Sequence, residues 1–181
     1  CLKLDGKEYK HSFQILKDPR LGTTSEDFAA QFELWNKITR RISEINGAIN
    51  SIRRIMCQIE ELLSRATFGN SNGQKTVIEV RKNAETLLGK LRILENELTQ
   101  TKNETPSDRL RHPAMLKERM EALVSTVSVA DSVPPRQVYD VFEHLSKQID
   151  DKLELLNLVC EQDLRSLNLL IDNAGIRKLH G

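Results

Sequence analysis

The clearest candidate for chemistry is a carboxylate and an imidazole four residues apart, Asp140 and His144. On a helix this spacing places both side chains on one face, where they could share a metal ion. No second pair faces them recognisably, and no predicted helix carries a Glu-x-x-His pair of the kind that di-iron bundles need on two helices. We therefore favour a solvated, hydrogen-bonded pair, and the sequence predicts no catalytic residue, no metal site and no cofactor.

The three cysteines, Cys1, Cys57 and Cys160, are odd in number and widely spaced, which argues against a disulfide framework. Cys160 falls on an apolar stripe and is interpreted as a small hydrophobic side chain. Cys57 lies beside another such stripe. Neither is expected at a helix N-terminus, where a thiolate would be favoured, so both are predicted to be unbridged and structural.

Basic residues form two pairs thirteen positions apart, Arg40-Arg41 and Arg53-Arg54. Acids are frequent nearby, no aromatic residues are interleaved, and the net charge is only +1, so a solvated helix face is favoured over a nucleic-acid patch. No apolar run approaches the roughly 20 residues that span a bilayer. Asn103-Glu104-Thr105 matches a glycosylation sequon, to which little weight is given.

The element that carries most of these residues is a long amphipathic helix. A capping box at Thr24–Asp27 precedes it, and two heptad columns run along it to about Thr67. The first column is Phe28, Trp35, Ile42, Ile49, Met56 and Leu63, and the second is Gln31, Ile38, Ile45, Ile52, Ile59 and Ala66. Eleven of these twelve positions are apolar, which predicts a coiled-coil-like helix with Trp35 packed in the core. Leu34, Ile55 and Leu62 widen the stripe, and Phe68–Gly73 is predicted to end the helix.

Three further helices follow in the pattern. The second begins near Val77 and ends near Asn103; a polar loop then precedes a short third helix whose first turn holds Pro113. Asp131–Pro135 breaks the chain before the fourth helix. The apolar stripe of the fourth helix runs from Val138 to Ile171 with a mean spacing near 3.67 residues, which indicates a straight or slightly right-handed course. Gly47 and Gly89 fall on outer faces and are interpreted as tolerated.

The N-terminal stretch predicts a different structure. Asp5-Gly6 is a strong signal for a type I′ hairpin turn, which would pair Leu4 with Lys7 and Leu2 with Tyr9. Continued alternation would line one face with Tyr9, His11, Phe13 and Ile15. An isolated two-stranded hairpin is marginal in water, so the rest of its sheet is expected elsewhere.

Together these patterns predict a mainly α fold: an elongated antiparallel bundle of three long helices and one shorter one, preceded by a β-hairpin. Residues 1–20 form the hairpin and residues 21–181 the bundle. The order of parts resembles the C-terminal region of bacterial BNR/Asp-box, sortilin-like β-propeller proteins, some of them glycosyl-hydrolase-like. The resemblance is carried by "LKLDGKEYKHSFQILKDPR", "SEDFAAQFELWNKITRRISEINGAINSIRRI", "HPAMLKERMEALVSTVSVADSVPPRQVYDVFEHLSKQID" and "LNLLIDNAGIRKL". It covers nearly the whole chain, although no Asp-box motif is present.

That resemblance implies that the hairpin ends an Ig-like sandwich and that the bundle is a helical tail. The implied function is a non-catalytic structural or protein-interaction module of a secreted or cell-envelope protein. Its partner would be the rest of its parent chain, with no nucleic acid and no membrane span. Two alternatives stay open: an accessory or oligomerisation domain of a propeller glycoside hydrolase, and a stand-alone helical effector with its own protein partner. Asp-box repeats encoded upstream would argue against the effector.

Overall fold

The computed structural model describes residues 2–65, 74–103 and 105–173. The chain is mainly helical, as predicted, with a two-stranded antiparallel hairpin at its N-terminus. The elements are β1 (Leu2–Leu4), β2 (Lys7–Tyr9), α1 (Ser25–Arg65), α2 (Gln74–Leu98), α3 (Leu116–Ser128), α4 (Arg136–Val159) and α5 (Arg165–Asn173). A 3-10 helix (Pro106–Leu110) lies between α2 and α3, and a π turn (Cys160–Leu164) joins α4 to α5. The predicted stop at Phe68–Gly73 lies outside the described residues.

The capping box predicts the start of α1 correctly. The Asp27 amide donates to Thr24 Oγ1 at 3.2 Å, and the Thr24 amide donates to Asp27 Oδ2 at 2.9 Å. With 41 residues, α1 is about 60 Å long. It contacts α2, α3 and α4.

The buried face of α1 is rotated relative to the predicted columns. Ile38, Ile45, Ile52 and Ile59 of the second column are completely buried, and Leu34, Ile55 and Leu62 on the flank are nearly so. In the first column only Ile49 is buried, and Trp35 is 37% exposed, so its predicted place in the core is wrong. The reason is that three helices pack on α1, and their combined contact is centred on the second column and the flank.

The junction of α2 and α3 also differs from the expectation. The second helix ends at Leu98, and α3 begins at Leu116, so Pro113 precedes the helix instead of lying in its first turn. The Glu118 carboxylate fixes both ends: it accepts the Met115 amide at 3.1 Å and the Gln100 amide at 3.2 Å. One side chain therefore satisfies amides at the start of α3 and in the segment after α2.

The predicted fourth helix is one rod with an irregular turn. Its backbone stays helical from Arg136 to Asn173, but the π turn interrupts the α-helical period. The buried stripe passes from Leu156 to Val159 and then to Leu164, a step of five residues that the wider turn accommodates. Cys160, predicted on the stripe, lies beside it and is half-buried.

The hairpin has the predicted turn and register. Asp5 and Gly6 have φ values of 49° and 76°, and Leu2 pairs with Tyr9 and Leu4 with Lys7. The second strand ends at Tyr9, so the predicted strand face through Ile15 does not form. Every residue from 3 to 17 is exposed. Among the described residues, the hairpin sheet consists of β1 and β2.

Candidate interaction surface

The carboxylate–imidazole pair does not form a site. Asp140 and His144 are both exposed, and His144 Nε2 lies 3.3 Å from the Gln148 amide nitrogen, so the expected partner Asp140 is replaced by Gln148. Within residues 2–65, 74–103 and 105–173, no group of three or more His, Cys, Asp or Glu side chains could hold a metal ion.

The two described cysteines are unbridged, as predicted. Cys57 is exposed and Cys160 is half-buried. Burial raises the pKa of the Cys160 thiol, and the neighbouring Glu161 carboxylate raises it further. The neutral thiol is therefore favoured, which is opposite to the requirement of a nucleophilic cysteine.

The two arginine pairs are largely solvated, as predicted: Arg40, Arg53 and Arg54 are exposed and Arg41 is half-buried, but two of them also bond neighbouring helices. The Arg41 guanidinium bonds Asp150 and the Ser146 carbonyl of α4, the latter at 2.7 Å. Arg53 Nε donates to Glu95 Oε1 on α2 at 2.5 Å. One arginine from each pair thus joins α1 to a neighbouring helix, while Arg40 and Arg54 remain exposed.

A cavity of about 380 Å³ lies at the α2–α3 junction. Asn103 from the sequon lines it, and the Oδ1 atom of Asn103 is buried without a hydrogen-bond partner. His112, Glu118 and Glu121 also contribute to the wall. Because both Glu118 oxygens already accept backbone amides, its carboxylate has a structural role here.

An aromatic groove of about 410 Å³ lies where the start of α1 meets the end of α3. Phe28, Phe32 and Trp35 form one wall, and Val127, Ser128 and Asp131 form the other. The three aromatic residues are spaced i, i+4 and i+7, which aligns them along one face of α1. Phe32 is 65% exposed, an unusually high value for a side chain of this size. We refer to this feature as the aromatic groove.

Side-chain bonds to the end of α3 build the groove. Gln31, the single polar member of the heptad columns, donates its amide to the Val127 carbonyl at 2.6 Å and to the Ala130 carbonyl at 2.7 Å. Thr23 Oγ1 donates to the Asp131 carbonyl. The polar residue in the heptad thus satisfies carbonyls at a helix C-terminus, which lack partners within the helix.

A second apolar feature is the apolar segment, residues 10–17, which follows β2. It has no regular structure, and its Phe13, Ile15 and Leu16 are 81, 86 and 75% exposed. A turn closed by the Leu21 amide and the Asp18 carbonyl, at 3.1 Å, follows it. The Lys17 ammonium donates to the Thr23 carbonyl at 2.7 Å, which fixes the place where the segment leaves the bundle.

Charge differs in sign between the two features. The apolar segment contains Lys10 and Lys17 and no acid. Residues 21–36, which carry the groove aromatics, contain three acids and no Lys or Arg, and Asp131 lines the opposite wall. Hydrogen bonding and charge from Lys37 lower the pKa of the Glu33 carboxyl, so it is ionised at neutral pH.

Phe32 was not singled out by the sequence analysis, because it lies outside both heptad columns. The signal was present as three aromatic residues at helical spacing, Phe28, Phe32 and Trp35, in a chain with only 4% aromatics. The heptad columns predict the core face of α1, whereas Phe32 lies on a different face.

Comparisons with known proteins return no relative: no family model, no curated protein and no solved structure matches the chain. Among the described residues, no helix is both long enough and apolar enough to cross a bilayer.

Proposed function

We propose that this chain is a non-catalytic structural or protein-interaction module, and that its N-terminal end is the side that meets other protein. The observation that carries the proposal is the hairpin, whose two strands are three residues long and whose residues 3–9 are exposed. A strand at the edge of a sheet presents N–H and C=O groups that can pair with a further strand. A hairpin of this size is marginally stable alone, so a sheet completed by another body is its expected setting.

The resemblance supports a more specific form of this proposal. The module would be the helical tail of a bacterial BNR/Asp-box, sortilin-like β-propeller protein, in the secreted or cell-envelope compartment. The parent chain would supply the missing strands of an Ig-like sandwich. The bundle, whose helix α1 is about 60 Å long, would space the propeller from a surface or a second partner.

Amide hydrogen exchange tests the proposal directly. The chain is compared with a longer protein that includes the coding sequence immediately upstream of Cys1. The amide of Lys3, which the alternation of the ladder directs to the outer edge of β1, should exchange rapidly in the short chain and slowly in the longer one, because an added strand would pair it. The amides of Lys7 and Tyr9 face β1 and serve as the internal reference. Equal exchange in both proteins would contradict the completed-sheet proposal.

The absence of catalysis is tested on the pair that could most readily do chemistry. Asp140→Ala and His144→Ala should leave every measured partner interaction of the chain unchanged, because both side chains are exposed and outside any cluster. Loss of a metal-dependent or hydrolytic activity in either variant would contradict the non-catalytic assignment.

A further inference from the structure

We propose that two copies of this chain associate through the aromatic groove, with the apolar segment of each copy lying in the groove of the other. The occupant is thus residues 10–17 of a second copy. The inference concerns residues beyond β2, so it is independent of how the hairpin edges are completed.

The apolar segment and the aromatic groove are both exposed in the single chain. Phe13, Ile15 and Leu16 stay at least 75% exposed, although their segment is anchored at Lys17 next to the start of α1. Phe32 of the groove stays 65% exposed. The chain therefore does not cover its own groove with its own segment.

The two surfaces carry charges of opposite sign. Lys10 and Lys17 bracket the apolar residues of the segment at its two ends, and Lys10 also pairs with Glu8 at 3.3 Å. The groove presents Asp131 on its wall, and the first turn of α1 carries Glu26 and Asp27, whereas Glu33 is already paired with Lys37 at 2.6 Å. Opposite charges at the ends of an apolar contact steer association and fix its direction.

The area of the contact fits a dimer with two such contacts. Phe13, Ile15 and Leu16 expose roughly 400–500 Å², and Phe32 and Trp35 of the groove expose roughly 200 Å², so one contact buries about 650 Å². A two-fold axis makes the contact twice, for a total of about 1,300 Å². This lies within the range of about 1,200–2,000 Å² that is typical of specific interfaces, whereas a single contact does not reach it.

Analytical ultracentrifugation and tryptophan fluorescence test the proposal together. Over about 1–300 µM, the mass should rise from one 20.7 kDa chain toward two, with a dissociation constant in the micromolar range. Trp35 is the only tryptophan and lines the groove, so its emission should shift to shorter wavelength over the same concentrations.

Complementation assigns the two surfaces. Phe13→Ser should disable the segment and Phe32→Ser the groove, and each variant alone should dimerise at least about tenfold more weakly. An equimolar mixture should associate more strongly than either variant alone, because the intact segment of one can enter the intact groove of the other. Ile93→Ser is the matched control: Ile93 is 63% exposed on α2, and its replacement should leave the dissociation constant unchanged.

Several outcomes would overturn the proposal. One is a mass that stays monomeric throughout, and another is a dimer that survives Phe32→Ser, which would assign association to the hairpin edges. A Trp35 spectrum that responds to Phe13→Ser but not to concentration would show that the segment covers its own groove. Circular dichroism of each variant confirms that the fold is retained.

Discussion

The ion pair between Arg53 and Glu95 shows how much one buried carboxylate depends on its partner. Glu95 is 8% exposed and accepts a hydrogen bond from Arg53 Nε at 2.5 Å, while the Arg53 side chain is 57% exposed. Removing the partner leaves the carboxylate buried and unpaired, whereas replacing both residues with apolar ones does not. The change in the free energy of unfolding therefore depends on whether one residue or both residues of the pair are replaced.

We predict that Arg53→Met lowers the free energy of unfolding by about 1–3 kcal/mol. The double variant Arg53→Met/Glu95→Leu should recover most of that loss, because no charge then remains buried. Urea denaturation measures both values. Arg54→Met is the control, and a change beyond about 0.5 kcal/mol there would point to a general effect of charge on this helix. Equal losses in the single and double variants would contradict the role of the pair.

The two described cysteines should differ in reactivity. Cys57 is exposed, whereas Cys160 is half-buried with a raised pKa, so alkylation of the native protein near pH 8 should label Cys57 first. Because the folded-state pKa is raised, the stabilising contribution of the neutral thiol is present below the ordinary thiol pKa and is lost as the pH rises through the raised value. Stability at alkaline pH should therefore fall more in the parent chain than in Cys160→Ala. Faster labelling of Cys160 than of Cys57 would contradict the burial.

At the scale of elements, two helices carry a glycine in the middle of an exposed face. A Cβ added at Gly47 of α1 or Gly89 of α2 would meet no atom within 4 Å, which confirms that these glycines are tolerated and not required for close packing. Each lowers helix stability, since glycine has greater backbone freedom in the unfolded chain than alanine.

We predict that Gly47→Ala and Gly89→Ala each raise the free energy of unfolding by about 0.5–1 kcal/mol. The effects should add, because the two sites are on different helices and share no partner. Chemical denaturation of the single and double variants measures this. Gly6→Ala should have the opposite effect on stability: Gly6 has a φ of 76°, so alanine at this position should destabilise the hairpin. A destabilised Gly47→Ala would mean that this face is covered.

The elements with strong local signals could be predicted from the sequence. The Thr24–Asp27 capping box and the Asp5-Gly6 turn each depend on neighbours within a few residues. Local signals suffice there because the stabilising partners are close in the chain.

Features that depend on partners distant in the chain could not be predicted from local sequence patterns. The rotation of the α1 face, which exposes Trp35, depends on three helices packing at once. The start of α3 depends on Glu118, which also bonds Gln100 across the junction. The π turn changes the spacing of the buried residues after Val159, whereas the regular spacing in the sequence predicted no interruption there. The aromatic groove forms where the end of α3 lies beside α1, and no sequence motif predicts that contact.

At the scale of the whole molecule, the bundle and the N-terminal region differ in how well they are covered. The helices share one buried core, whereas residues 3–17 are exposed throughout. Regions with few buried contacts open at low free-energy cost, so stability is not uniform along the chain.

We predict that removing residues 1–20 leaves the melting temperature of the bundle within about 2 °C of that of the full chain at low protein concentration. Hydrogen exchange of the full chain should show rapid exchange at Phe13 and Ile15 and strong protection at Ile45 and Ile49. Similar protection at all four positions would show that the N-terminal region is an integral part of the bundle. A fall in melting temperature of more than about 5 °C on truncation would lead to the same conclusion.

The position of α1 has a mechanical consequence. The chain enters this helix directly from the N-terminal region, at Thr23 and Thr24, and the same helix contacts α2, α3 and α4. A load that reaches α1 through the hairpin would therefore be shared among three neighbouring helices.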